Sequence, residues 1–343
     1  MGTPAGPAQR RPRIAVVTTG GTIASRVDQA GAVVPVVSGA ELLDLVPGVD
    51  EVAEVELVDF AQVPSWNLEP DMLLELARRA DELLHGRVAG VVVTQGTDTL
   101  EETAYLLDRI VQSQYPVVVT GAMRNNSELG ADGPRNLYNA VRVAADPATT
   151  GRGTLVVFNE EIHAAREVTK THSFNVSTFR SPYAGPVGYT DTGGVVFTRR
   201  PEPAAKLAAT FLPRDIYLLK MTLGTGDLLV RCCVQAAVDG IVLEGTGLGH
   251  VPGKVVPAIR SAVDAGIPVL LTSRTFAGRV LSLYGSPGGG QELREAGVIL
   301  AGDLSGQKAR LELMAALGAG LRGEELRAHF ERYQRRPGCA STA

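Results

Sequence analysis

The sequence predicts an α/β protein with a larger N-terminal domain, built on a mostly parallel sheet flanked by helices, and a smaller C-terminal α/β domain. Three observations carry this. Short apolar, β-branched runs alternate with helically spaced apolar residues through the first 160 positions, the pattern of strand–helix–strand units. The alternation resumes after residues 199–214 (RRPEPAAKLAATFLPR), which are rich in Pro, Ala and Arg and read as a linker. Three strand ends share a composition: TTGGT, TQGTDT and TGAMR. In a parallel sheet these ends fall on one edge, where α/β proteins bind ligands. The expected layout is a disordered tail over 1–12, an N-terminal domain over 13–198, the linker over 199–214 and a C-terminal domain over 215–343.

Each element has its own signal. Residues 13–19 (RIAVVTT) form a buried strand that Gly20-Gly21 ends. From Arg26 to Ser38 no periodicity is visible, and Gly31 and Pro35 break any regular element, so a mobile loop beside the glycine turn is expected there. A short helix covers 39–46 and a strand 52–60. Pro70 opens a long helix to Leu84 whose Leu73, Leu76, Ala77, Ala80 and Leu84 share one face. Gly90–Thr94 has the composition of a strand buried on both faces. Leu100–Asp108 then turns helical, with Leu100, Ala104 and Leu107 on one side. A strand at 116–120, a helix at 133–145 and a strand at 154–158 follow, whereas Glu160–Tyr189 shows no regular pattern. In the second domain strands are expected at 216–221, 240–243 and 268–272, with helices at 226–238, 253–265, 290–296, 306–317 and 323–334.

Composition excludes several classes. Hydrophobic residues make up 45% of the 343, enough for a sizeable core, and no run of about 18 apolar residues suggests a membrane span. The opening MGTPAGPAQRRPR has basic residues but no long apolar region behind it. Ile14–Val17 therefore reads as a first strand rather than a signal peptide, and the expected location is cytoplasmic. Cys232, Cys233 and Cys339 form neither a disulfide framework nor a metal-ligand spacing, which favours a reducing compartment. A net charge of −4 without a basic stripe argues against nucleic acid as a partner. His163, His172 and His250 are scattered, so no metal is expected, nor any other cofactor. The Asp191-Thr192-Gly193 triplet, single and without a preceding hydrophobic strand, reads as a hairpin turn.

The chemistry gathers at the strand ends. Thr22, Ser65, Thr97, Asp98 and Lys170 are the candidates, Lys170 being one of only five lysines. No histidine sits in a strand-end turn of the first domain and no Gly-x-Ser-x-Gly turn occurs, which disfavours a Ser-His-Asp hydrolase. A hydroxyl needs a base to become a nucleophile. A lysine can serve when burial lowers its pKa, whereas a carboxylate beside it favours the charged form. The glycines before Thr22 allow close approach of a substrate to backbone N–H groups. Each residue also has a bland reading. Thr22 can be a turn hydroxyl and Lys170 a solvated lysine, while Asp98 can cap the helix that follows, with Glu101 completing a capping-box-like pair.

TTGGTIAS and VVVTQGTDTLEETAYLLD resemble the two signature motifs of the bacterial-type L-asparaginases. The similarity continues through PVVVTGAMR, ADGPRNLYNAVRVAA, GRGTLVVFNEEIHAAREVTKT, DGIVLEGTGLGHVP and AGDLSGQKARLEL, from Arg13 to about Leu317. The resemblance implies hydrolysis of L-asparagine to aspartate and ammonia through an acyl-threonine intermediate, in a homotetramer or homodimer with sites between domains of neighbouring subunits. By matching motif, Thr22 corresponds to the primary nucleophile. Thr97 corresponds to a second catalytic threonine acting with Lys170 and Asp98 in proton movement. Asp98 would also hold the substrate's α-ammonium group, Ser65 its α-carboxylate, and Ala122 would line its side-chain amide. Trp66 stands in the substrate-binding position where the family often has glutamine, and as a bulkier, donor-only group should disfavour glutamine. Two other family features are absent. No tyrosine occurs between Arg26 and Trp66 to activate Thr22, and Leu248 and His250 stand near where the family has an inter-subunit asparagine. The alternatives are a related amidohydrolase with glutaminase activity and a catalytically weak amino-acid-binding sensor. GTGLGHV also resembles the D subunit of the archaeal tRNA-dependent amidotransferase, but a first strand at Arg13 leaves no room for that protein's extra N-terminal domain.

Overall fold

The computed structural model describes residues 11–21, 23, 25–27, 33–35, 39–86, 88–203 and 205–332. Thr22, most of the expected tail and parts of the loop after the first glycine turn lie outside the described residues. The chain divides into two compact units, Met1–Lys206 and Leu207–Ala343.

The first unit begins with β1 (Arg13–Thr18), a short hairpin of β2 (Ser25–Val27) and β3 (Val33–Pro35), and helices α1 (Gly39–Asp44) and α2 (Val49–Val52). Next come β4 (Glu54–Asp59), α3 (Pro70–Gly86), β5 (Gly90–Thr94), α4 (Leu100–Ile110), β6 (Val117–Thr120), α5 (Gly133–Ala145) and β7 (Thr154–Phe158). Five short strands close the unit: β8 (Glu161–Ala164), β9 (Thr169–Lys170), β10 (Phe179–Arg180), β11 (Gly188–Asp191) and β12 (Gly194–Phe197). Its main sheet runs β12-β11-β8-β7-β6-β5-β1-β4. The stretch from β7 to β4 is parallel, and β8, β11 and β12 extend it antiparallel.

Alternation along the strands explains the layering. Ile14, Val16, Val92, Val118, Leu155 and Val157 bury one face against Leu137, Ala140, Val141 and Ala144 of α5. The intervening residues, such as Val91, Val93, Val117 and Val119, are equally buried, because period-two side chains turn to the opposite face, where α3 and α4 pack on β5, β6 and β7. A strand covered on both sides must be apolar throughout, and β5 is buried at every position.

The second unit holds a parallel four-stranded sheet, β13 (Ile216–Lys220), β14 (Gly240–Gly245), β15 (Val269–Ser273) and β16 (Ile299–Leu300), in that order. Its helices are α6 (Leu228–Gln235), α7 (Val256–Asp264), α8 (Gly290–Glu295), α9 (Gly306–Gly318) and α10 (Gly323–Glu331). Glu244 is buried at the end of β14, and a Cβ on Gly306 would stand 2.4 Å from its Oε1, so α9 begins at a glycine pressed on that carboxylate. On α6, Cys233 is buried and Cys232 exposed, and burial pushes the Cys233 thiol pKa up.

The structure departs from the sequence reading where strands are too short for periodicity to register. Ser25–Val27, starting one residue before the Arg26–Ser38 stretch expected to hold no regular element, pairs with Val33–Pro35 within it, and Glu160–Tyr189 supplies β8 to β10 and the start of β11. Asp191 accepts the N–H groups of Gly193 and Gly194 at 2.7 and 3.1 Å, an Asx-type turn joining β11 to β12.

Register sets the level of the three glycine turns. Thr18 pairs with Thr94 and Thr94 with Thr120, so the last residues of β1, β5 and β6 stand side by side. The turns beyond interlock through backbone. A Cβ on Gly21 (φ +92°) would lie 2.1 Å from the Gly96 nitrogen, and one on Gly121 would lie 2.4 Å from the Gln95 carbonyl oxygen. Gly21→Ala is therefore expected to lower stability by about 3 kcal/mol or more. Gly48→Ala, at φ +77° but in open space, should cost only about 1–2 kcal/mol. Urea unfolding midpoints check this, and equal shifts would contradict the interlock.

Candidate active site

The turn between β5 and α4 gathers the polar groups. Helix α4 begins at Leu100, and Thr99 before it makes no side-chain capping bond. Instead the Thr99 hydroxyl donates to the Ser65 carbonyl at 2.8 Å. Asp98 does not cap either: its Oδ1 accepts a hydrogen bond from Lys170 Nζ at 2.7 Å. The same ammonium donates to Thr97 Oγ1 at 3.0 Å. Glu101, the other half of the suspected capping pair, accepts the Lys170 backbone N–H at 2.6 Å. The capping-box reading is thus replaced by a grip on one lysine.

Exposure separates the members of this group. The Lys170 side chain is 14% exposed and that of Asp98 52%, while Thr97 is buried. A charge-assisted contact so placed is stronger than one in open solvent, and the open side of Asp98 faces water. An ammonium donates only, so it occupies a lone pair of Thr97 and leaves the hydroxyl proton for another acceptor.

Lys170 reaches this point from a two-residue strand. Strand β9 pairs with β10, Lys170 opposite Phe179. Phe179 is buried against Phe158, ring centroids 4.7 Å apart. Arg180 bonds Glu161 at 3.0 Å, and the Ser181 hydroxyl meets His163 Nδ1 at 3.0 Å. The hairpin is thereby tied to β7 and β8 of the main sheet.

Ser65 sits on a 3₁₀ turn, Ser65–Asn67, and is buried. Its Oγ lies 2.9 Å from where a Cβ of Gly96 would stand, and it has no hydrogen-bond partner among the described residues. Trp66 beside it is 67% exposed and is not drawn into the cluster. Ala122 is fully buried in the turn after β6, where a Cβ on the preceding Gly121 would lie 3.5 Å from Thr97 Cγ2. Thr22 lies outside the described residues. Of its neighbours, Gly21 packs on Gly96, and Ile23 is buried with its carbonyl accepting from Asn126 Nδ2 at 2.9 Å.

Sequence reasoning missed the cradle of the third turn. Asp132 accepts the N–H groups of Met123 and Arg124 at 3.1 and 2.9 Å, and Asn136 Nδ2 donates to the Gly121 carbonyl at 3.0 Å. Both belong to the start of α5. The Asp-Gly-Pro step that opens that helix, with Asp132 just before it, was the available signal. Among the described residues no group of three or more His, Cys, Asp or Glu side chains is placed to hold a metal ion.

Comparisons with known proteins agree along the chain. A family model described as Asparaginase, N-terminal, matches residues 13–203, and one described as Glutaminase/Asparaginase C-terminal domain matches residues 215–330. The probable L-asparaginase of Deinococcus radiodurans is 40% identical over 324 residues, covering 93% of this chain and 97% of that protein. The L-asparaginase of Bacillus licheniformis is 35% identical over 319 residues, covering 90% and 96%. The crystal structure of a probable cytoplasmic L-asparaginase from Campylobacter jejuni superposes with a TM-score of 0.84 at 33% identity, covering 93% of this chain and 99% of that one.

A buried hydroxyl without a partner costs stability unless a ligand uses it. Ser65→Ala should therefore leave the melting temperature within about 2 °C of the parent while weakening binding of the site's ligand. A large loss of stability with unchanged binding would show that Ser65 serves the fold alone.

Proposed function

Because the chain belongs to the asparaginase family, we propose that it is an L-asparagine amidohydrolase that forms L-aspartate and ammonia through an acyl-threonine intermediate. The observation that carries this reading is the contact of Lys170 with both Thr97 and Asp98, at the edge where three strand-end turns meet.

A small zwitterionic amino acid needs an acceptor for its ammonium, a donor for its carboxylate and a nucleophile, all within a few ångströms. The half-exposed Asp98 offers the first and the unpartnered Ser65 hydroxyl the second. Thr22 is assigned the nucleophile. Its oxygen attacks the side-chain amide carbon, the carbon–nitrogen bond breaks, and the amide nitrogen leaves as ammonia carrying the proton given up by the threonine hydroxyl, a proton that the water of the next step restores to the threonine. Water then attacks the resulting ester, the carbon–oxygen bond to the threonine breaks, and aspartate leaves. Thr97 and Lys170 are assigned the proton movement in these steps, the lysine fixing the orientation of the Thr97 hydroxyl. Ala122 lines the amide end, and its small side chain leaves room there. Trp66 flanks Ser65 and, standing exposed outside the cluster, is proposed to narrow the entrance at the backbone end of the site against glutamine.

A cytoplasmic homotetramer completes the proposal, supported by the family resemblance. Light scattering of the purified protein tests the assembly.

Ammonia release is measured from L-asparagine, L-glutamine and D-asparagine side by side. L-asparagine is expected to be the best substrate, and binding of asparagine without ammonia release would favour a sensor instead. Thr22→Ala and Thr97→Val are each expected to lower turnover by about 10³-fold or more. Near-normal turnover in either folded variant would overturn the residue assignment.

A further inference from the structure

We infer that Glu101 is a positioning residue for Lys170: its buried carboxylate holds the lysine's backbone N–H and so sets where the ammonium meets Thr97 and Asp98. This rests on the proposed catalytic role of Lys170.

Strand β9 turns the Lys170 N–H out of its own ladder. Thr171 N–H donates to the Thr178 carbonyl at 2.8 Å, pointing toward β10. Successive N–H groups of a strand point to opposite sides, so the Lys170 N–H points away from β10, toward α4. An amide there, cut off from its own ladder, needs a partner. Glu101 supplies it at 2.6 Å, a short charge-assisted bond. A carboxylate is costly to bury, and Glu101 is 6% exposed. Its place in the first turn of α4 lowers that cost, because the helix start favours negative charge.

One helix start thus holds the same lysine twice. Thr97 and Asp98 take its side-chain end, and Glu101, three residues beyond Asp98, takes its backbone end. The long flexible stem of lysine leaves the ammonium free to wander unless its root is fixed. Strand pairing to β10 fixes one side of that root, and Glu101 fixes the other.

A double-mutant cycle on the full-length protein tests this. L-Asparagine turnover is measured for Glu101→Leu, Glu101→Gln, Lys170→Met and the Glu101→Leu, Lys170→Met pair, with thermal melts confirming folding. Glu101→Leu is expected to lower kcat by about 10- to 100-fold, the effect of a displaced catalytic group. Glu101→Gln, whose amide oxygen still accepts the N–H, should stay within about threefold of the parent. In the Lys170→Met background the Leu change should cost less than about threefold, because the group it positions is gone. An equal loss in both backgrounds, or full activity of Glu101→Leu, overturns the inference. Should Glu101→Leu not fold, Glu101→Asp takes its place: one methylene shorter, it cannot reach the amide and should lose activity likewise, and full activity would overturn the inference. If Lys170→Met proves as active as the parent, the proposed role of Lys170 fails instead. The bond itself is then read by hydrogen exchange of the Lys170 amide, which should quicken in Glu101→Leu or Glu101→Asp, and unchanged exchange overturns the inference.

Discussion

The contact on which the rest of the structure depends is the one between Gly21 and Gly96. Two backbones meet there with no space for a side chain between them. That approach is possible because the strands leading to it are in register, Thr18 beside Thr94 beside Thr120, so their turns leave the sheet at one level. Backbone closeness brings three separate turns within reach of a single small ligand. A sheet with the same strands and ordinary side chains at these turns would hold its crevice open and its polar groups apart.

The second constraint is the capture of one cation. Lys170 stands 72 residues beyond Asp98 in the chain, on a strand of two residues, yet three groups from the start of α4 converge on it. Local helix chemistry predicts that Asp98 and Glu101 serve the helix's own first-turn amides. Here Asp98 instead takes the lysine's ammonium and Glu101 accepts its backbone N–H. The arrangement gives α4 a double use, since the turn that starts the helix also orients a hydroxyl and leaves a carboxylate half-open to water. In the hydrolysis proposed for this member of the asparaginase family, these residues are given proton movement and ammonium binding.

Much of this was legible in the sequence, for identifiable reasons. Strands β1, β5, β6 and β7 are apolar at nearly every position, and α3, α4 and α5 carry clear helical spacing, so each is found from composition alone. The shared threonine and glycine content of the strand ends pointed to their convergence. Rarity singled out Lys170. The rest depends on partners distant in sequence. Strands β8 to β12 are two to four residues long and gain their form from pairing, which leaves no periodicity to read. Asp132 and Asn136 look like ordinary residues of a helix start until the turn they hold, at Met123 and Gly121, is seen across from them. Glu101 reads as a cap because nothing local announces a strand edge with an unpaired N–H.

The most direct test of the account is mass spectrometry of the protein quenched in acid during turnover of L-asparagine. The account predicts an aspartyl ester on the peptide that contains Thr22, formed only with the amide substrate and lost as turnover ends. Steady ammonia release with no such ester, or with the ester on a residue outside the three strand-end turns, would contradict it.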